Sequence, residues 1–439
     1  MNPMTNDAVS ALDQQHVFHS WSQQNLLNPL AIAGAKGCRL WDFEGKEYLD
    51  FSSQLVNTNI GHQHPKVIEA IKAQADTLAT IAPAHANATR GEAARRILER
   101  APKGFSKVFF TNAGADANEN AMRMARAMTG RPKILSAYRS YHGNTGSAIV
   151  ATGDPRRIPN EYAHGHAHFF NPFLYRSDFW ADNEEQECER ALAHLRRVIE
   201  CEGPGAIAAI LLEPIPGAAG ILVPPRQYLK GVRELADEFG IVLIFDEVMA
   251  GFGRTGRWFA FEHFEAVPDL IVFAKGVNSG YVPCGGVVIS DAISQHFDDR
   301  MFFGGLTYSG HPLAMASIVA TLDAMQDEGV VANADRVGNG PLAQGLAGLA
   351  ERHAIVGETR GIGVFHALEL VSDPASRTPL APDAVADIRG RLLDRGLMPF
   401  VGGNRIHVVP PCIVSEAEVA TGLAILDEVL GDASRKYVN

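Results

Sequence analysis

Residues 243–256 read LIFDEVMAGFGRTG, and residues 268–276 read PDLIVFAKG. Two short apolar runs, Ile241–Phe245 and Leu270–Ala274, lead directly into Asp246 and Lys275. Runs this short and this continuously apolar read as strands covered on both faces by helices, the pattern of a parallel sheet. A carboxylate ending a buried strand is costly without a cationic partner. Strand C-termini are also where open α/β sheets hold ligands. Two strand ends are therefore expected to present an acid and an amine to one crevice. Taken singly, each has a plainer reading: a lysine after a strand usually snorkels to the surface, and an aspartate there usually caps a helix or forms a turn. The pair says more than either member.

Working outward, Lys107–Thr111, Ile134–Ala137, Ile207–Leu212 and Val287–Ile289 are further strand candidates. Helical patterns fill the gaps. Pro65–Leu78 places Val67, Ile68, Ile71, Ala75 and Leu78 on one face with proline in the first turn, and Ala115–Met128 and Arg226–Phe239 read likewise. The fold class is α/β, with a mostly parallel, doubly wound sheet in a large domain. The texture changes after about Met325. Gly361–Leu370 alternates like a half-exposed strand, Arg405–Val409 is a short strand, and Glu416–Leu430 is an amphipathic helix. Cys38–Phe51 is β-like with a turn at Glu44–Gly45. We expect residues 1–60 to pack with a smaller α+β domain of residues 326–439, leaving 61–325 as the large domain.

The 439 residues carry a formal net charge of -11. Such a surface repels phosphate backbones, and no Lys/Arg run reverses this locally, so nucleic acid is not an expected partner. Five scattered cysteines without CxxC spacing suit a reducing cytoplasm. The polar N-terminus lacks the order of a secretory signal, and no apolar run is long enough to span a bilayer, so no membrane association is expected.

Two further segments carry chemistry. Thr111–Glu119 (TNAGADANE) runs from a strand through small residues into a helix, whose backbone N–H groups can hold a phosphate. The plain alternative is an ordinary strand–helix turn. Tyr141–His142–Gly143 places an aromatic ring where it can stack on a flat heterocycle, or merely pack in the core. An amine in an apolar pocket becomes nucleophilic toward aldehydes. Pyridoxal phosphate needs both an amine for its imine and a carboxylate to keep its pyridine nitrogen protonated. Gly251–Gly256 (GFGRTG) also fits G-x-G-x-x-G, a weak signal for nicotinamide binding that lacks a βαβ continuation here. His164, His166 and His168 would share a face on a strand, but no carboxylate or cysteine cluster completes a zinc site. We read them as surface-loop histidines and expect no metal.

At these residues the chain resembles the class III (ω-type) aminotransferases of PLP fold type I. The resemblance spans nearly its whole length through WDFEGKEYLDF, TNAGADANE, SYHGNT, LLEPIPGAAGILVPP, LIFDEVMAGFGRTG, PDLIVFAKGVNSGYVPCGG, GGLTYSGHPLA, TRGIGVFHALEL and VVPP. It implies that Lys275 carries pyridoxal 5'-phosphate as a Schiff base and later moves the proton, and that Asp246 pairs with the pyridinium. It further implies Val248 against one ring face, Tyr141 on the other, and the Gly114 and Ala115 amides on the phosphate. Thr307 would reach the phosphate of a neighbouring subunit in a homodimer, and whether dimers pair into tetramers is left open. By position, Trp21, Leu55 and Val56 would line the donor pocket.

The departures from that pattern concern charge. Relatives using 2-oxoglutarate carry an arginine where this chain has Asn144, a glutamate where it has Ala218, and a second arginine where it has His407. Pyruvate-using relatives place an arginine roughly where Glu416 stands. Arg405 is then the candidate for the acceptor carboxylate, with a structural ion pair as its alternative. The expected activity is transfer of an amino group from an ω-amino acid or amine, such as β-alanine or taurine, to a keto acid. Pyruvate is the expected acceptor and 2-oxoglutarate the alternative. Another reaction on the same scaffold, an aminomutase or decarboxylase, would show no dependence on a keto acid.

Overall fold

A computed structural model describes residues 4–438. Ile207–Leu212, Val242–Asp246 and Leu270–Ala274 are buried at every position, as their apolar runs, broken only by Asp246, require of strands sandwiched between helices. They form the centre of a seven-stranded sheet. In chain order its strands are β1 (Phe105–Thr111), β2 (Lys133–Ala137), β3 (His166–Phe169), β4 (Ile207–Leu212), β5 (Val242–Asp246), β6 (Leu270–Ala274) and β7 (Gly285–Ser290). The spatial order is β1-β7-β6-β5-β4-β2-β3. β3, β2, β4, β5 and β6 pair in parallel, and β7 runs antiparallel to both β6 and β1. The ends of β1, β2, β4, β5 and β6 therefore lie along one rim, which is where the chemistry-bearing segments sit.

Local signals explain the helices. Helix α1 (Gly114–Thr129) stops at Gly130, whose φ of 67° takes the left-handed C-cap conformation. The final helix, Glu416–Tyr437, starts with a reciprocal Ser415–Glu418 capping box. It continues past the expected Leu430 because Ala433 keeps packing against the core.

Two smaller sheets join the chain ends. The hairpin of Arg39–Asp42 and Glu47–Asp50 takes Leu397–Met398 as a parallel neighbour. Phe51 N donates to Met398 O at 3.0 Å, and Val409 N donates to Phe51 O at 2.9 Å. Two expectations need correction here. Gly361–Leu370 is not one half-exposed strand: it turns at Gly363 (φ 61°) between Val356–Ile362 and Phe365–Asp373. Phe365–Val371 is buried at every position, so both faces of the strand are covered. His166 and His168 are not loop residues but lie on edge strand β3, while His164 is exposed and precedes it. His168 stacks on Tyr138 at 5.1 Å, and His166 lies 3.4 Å from Arg126. Burial holds His166 down to about 4, so it is neutral packing material. Among the described residues no cluster could hold a metal ion.

The glycine-rich Gly251–Gly256 segment holds Arg254, which is entirely buried. Its guanidinium donates to Ser53 Oγ at 3.1 Å, Asn59 Oδ1 at 2.7 Å, Val364 O at 3.3 Å and Pro410 O. The glycines let the backbone pass close around this arginine; a Cβ on Gly256 would lie 2.8 Å from Asp335 Cβ. The segment is thus a clamp between the N-terminal, central and C-terminal parts, with no β-strand–helix unit around a dinucleotide. No helix among the described residues is long and apolar enough to cross a membrane.

Candidate active site

Lys275 follows β6 directly in a left-handed conformation (φ 46°), which turns it out of the strand line into a cavity of about 550 Å³. The cavity wall also includes Gly114, Ala115, Asn118, Tyr141, Glu213, Asp246 and Val248. Burial lowers the Lys275 pKa, opposed by the charges of Glu213 and then Asp246, while Arg156 and Arg254 lower it further. The amine is thereby shifted toward its nucleophilic free-base form.

Asp246 ends β5 with both oxygens occupied. Oδ2 accepts from His142 Nδ1 at 2.8 Å and from Asn118 Nδ2 at 2.7 Å, and Oδ1 accepts from Val248 N at 3.1 Å. Three donors fix the orientation of the carboxylate. Glu213, just past β4, accepts from Tyr141 N and Gly217 N, both at 2.9 Å. Helix α1 opens onto the cavity with no side-chain cap, leaving its first N–H groups free for an anion. Gly114 is required there, since a Cβ would lie 2.9 Å from Val248 Cγ2. Gly143 (φ 135°) lets the loop after β2 approach, since its Cβ would lie 2.5 Å from Ala115 Cβ.

An amine, a fixed carboxylate, an uncapped helix start and an aromatic ring around one cavity match the needs of pyridoxal phosphate group by group. The Aminotransferase class-III family model matches residues 20–430. The chain is a class III aminotransferase. It is 31% identical to the taurine–pyruvate aminotransferase of Bilophila wadsworthia over 97% of this chain and 98% of the relative. It is 33% identical to the acetylornithine aminotransferase of Methanopyrus kandleri, covering 97% and 99%. Its fold superposes on the taurine:2-oxoglutarate aminotransferase of Bifidobacterium kashiwanohense, solved with PLP and glutamate, with a TM-score of 0.96, 41% identity and full coverage of both chains. The ω-transaminase of Pseudomonas jessenii superposes with a TM-score of 0.94 at 30% identity, covering 98% of this chain and 99% of that one. The aminotransferase has fold type I architecture and uses pyridoxal phosphate.

Most sequence-predicted residues meet in this cavity: Lys275, Asp246, Gly114, Ala115, Tyr141, Val248, Trp21 and Leu55. Three do not. Val56 turns into the core, because Ser53, Gln54 and Val56 all adopt positive φ and rotate its side chain inward. Thr307 sits on an exposed loop outside the cavity. Arg405 also lies off the cavity wall, under Gly220: a Cβ on Gly220 would lie 2.6 Å from Arg405 Cδ and 2.7 Å from Arg360 Nη2. Glu369 faces it as the nearest stabilising charge. On the hairpin of Phe400–Gly402 and Arg405–Val408, Phe400 takes the cavity position and covers His407, its ring 4.6 Å away. Glu416 pairs instead with Arg336 at the surface. Asn144 and Ala218 do line the cavity.

Sequence reasoning missed four contributors. Glu213 carried the same signal as Asp246, a carboxylate after an apolar strand. His142 and Asn118 lay inside quoted motifs, but only the fold aims them at Asp246. Arg156 stands in a short 3-10 helix, Pro155–Asn160, capped by Asp154, and nothing local says that this helix meets the cavity. Its guanidinium lies 3.8 Å from the Tyr141 ring centroid and 5.6 Å from that of Trp21, with Asp154 as its ion-pair partner. Replacing His142 by alanine removes one charge-assisted bond to Asp246, worth about 1.5–3 kcal/mol. The expected result is cofactor affinity weakened by roughly ten- to a hundredfold with the fold retained, and largely restored in His142→Asn. Equilibrium dialysis of the cofactor checks this.

Proposed function

We propose that the aminotransferase takes the amino group of a small ω-amino acid with an anionic head, taurine first and β-alanine second, and passes it to an α-keto acid. The observation that carries this is the Arg156 guanidinium, stacked on Tyr141 at the cavity that contains Lys275. Stacking and the Asp154 ion pair hold the planar fork in place, leaving it able to receive a sulfonate or carboxylate. Trp21 and Leu55 supply an apolar wall suited to a short carbon chain.

When bound, pyridoxal phosphate supplies the electron sink for the pair released at the donor carbon. The chain's own groups do the rest. Lys275 bears the cofactor and, once released, moves the proton at its Nζ. Asp246 holds the proton on the ring nitrogen, and the start of α1 at Gly114 and Ala115 binds the phosphate. Tyr141 and Val248, both in the cavity wall, would confine the ring, keep water out and fix the scissile bond. Thr307 completes the phosphate site of a second protomer in a homodimer. The exposed Met301, Phe303 and Tyr308 around it support that reading, and light scattering in solution tests it. The large domain is residues 61–325, with 1–60 joining 326–439. Five free cysteines fit a reducing cytoplasm.

Two acceptors compete. A cavity wall with a single arginine, Arg156, fits the one carboxylate of pyruvate. The 41% identity to a taurine:2-oxoglutarate enzyme favours 2-oxoglutarate. The test is steady-state kinetics of taurine, β-alanine and an uncharged amine with each acceptor, in the wild type and Arg156→Ala. Loss of one charged hydrogen bond is worth about 1.5–3 kcal/mol, so the KM for taurine is expected to rise roughly ten- to a hundredfold. The KM of the uncharged amine should hardly change. An equal rise for all three donors removes Arg156 from the donor site.

A further inference from the structure

The residues around Lys275 contain more titratable groups than the proposed chemistry uses. Glu213 lies in the cavity wall and is nearly inaccessible to solvent. Its two oxygens are taken up by the backbone N–H groups of Tyr141 and Gly217, so it ties the ring-stacking tyrosine to the loop bearing Ala218. No arginine or lysine pairs with it at ion-pair distance among the described residues. The charged groups that face it are His142 from the loop after β2 and Asp246 from the end of β5. Lys275, from the end of β6, feels Glu213 as its foremost stabilising charge, ahead of Asp246, with Arg156 and Arg254 opposing.

Asp246 is committed: three hydrogen bonds hold it, and the cofactor's ring nitrogen would pair with it. Glu213 has no such partner: it accepts two backbone hydrogen bonds, and the cations that face it are His142 and the Lys275 amine. We propose that Glu213 is a positioning residue that sets the proton occupancy of Lys275 Nζ, its carboxylate favouring the protonated nitrogen. In the donor half-reaction the donor's Cα–H bond breaks and an N–H bond forms at Nζ. The electron pair passes into the cofactor, and Lys275 goes from amine to ammonium. An ionised Glu213 in the same enclosure stabilises that ammonium, and a neutral one favours the free amine that must accept the next proton. Burial, with Asp246 adding to it and His142 opposing, pushes the Glu213 pKa up to about 7, where either form is within reach. This inference rests on Lys275 being the cofactor-bearing lysine.

The experiment is a spectrophotometric pH titration of the cofactor's visible band in the full-length holoenzyme, for wild type, Glu213→Gln and Glu213→Asp. The band's midpoint reports protonation of the nitrogen contributed by Lys275. Removing the carboxylate's charge in Glu213→Gln should lower the midpoint by about one unit, a tenfold change in proton affinity. Glu213→Asp keeps the charge and should stay near the wild-type midpoint, although both variants disturb the Tyr141 and Gly217 hydrogen bonds. A Gln variant with an unchanged midpoint, or Gln and Asp variants shifted alike, overturns the proposal and leaves Glu213 a structural tie. A wild type with no band overturns instead the assignment of Lys275. Should the Gln variant fail to load cofactor, infrared difference spectra of the unaltered holoenzyme with and without donor take its place. A glutamate carboxyl band that changes on donor addition supports the inference, and a silent carboxyl region sinks it.

Discussion

Lys275→Ala is expected to lower kcat by about 10⁴-fold or more, since it removes both the attachment of the cofactor and the group that moves the proton. The effect is this large because no other amine can substitute. Among the described residues Lys275 is the only lysine in the cavity wall, and its left-handed backbone at the end of β6 aims it inward. Desolvation lowers its pKa and so favours the free amine. The substitution should spare the fold, because the lysine makes no hydrogen bond that the core depends on. The measurement pairs the visible spectrum with kcat for taurine and pyruvate or 2-oxoglutarate. A Lys275→Ala protein that still turns over, and whose yellow band borohydride bleaches while the reduced cofactor stays attached through denaturing dialysis, would place the chemistry on another residue.

Arg254→Met should be the most damaging single change to stability, costing about 3–5 kcal/mol. A hydrophobic replacement for a buried ion pair is often harmless, but Arg254 is not part of one. Its guanidinium serves two backbone carbonyls, a serine hydroxyl and an asparagine carbonyl, drawn from segments far apart in the chain. Methionine fills the volume and leaves those acceptors buried without donors, each at its own desolvation cost. Burial pushes the arginine's pKa down, yet its basicity is high enough to keep it charged. Thermal unfolding by calorimetry checks this. A Tm within a degree or two of wild type would show that water replaces the guanidinium at all four acceptors. Because the clamp joins the parts that enclose the cavity, a loosened Arg254→Met protein should also lose cofactor affinity at temperatures below its unfolding.

The sheet was legible because its signal is local. β4 and β6 are apolar throughout and β5 is apolar up to Asp246, the composition a strand sealed on both faces requires. The same logic exposed Asp246 and Lys275, since a charge after such a run is an anomaly that needs a reason. Edge and paired elements were less visible. β3 reads HAHF, polar enough to pass for a loop, because an edge strand is only half covered. The Val356–Asp373 hairpin hid its turn in the sequence GIGVF, where the positive φ of Gly363 leaves no mark among neighbouring glycines.

The sequence by itself determined the family, the carboxylate that ends β5 and the amine that follows β6, and the strand-to-helix turn at Gly114, because each rests on residues adjacent in the chain. Tertiary structure alone decided which cation reaches the substrate cavity. Arg405 and Arg156 are equally plausible as side chains, but the hairpin of Phe400–Gly402 and Arg405–Val408 turns Phe400 toward the cavity and Arg405 behind Gly220, while the short helix Pro155–Asn160 lays Arg156 on Tyr141. The environment of Asp246 was likewise invisible beforehand. His142, Asn118 and Asp246 are separated by up to 128 positions and meet only when the sheet brings the ends of β2 and β5 beside α1. The physical reason is the same in both cases. A side chain's chemistry is written in its residue type, but its direction and its partners are set by long-range packing that no local pattern records.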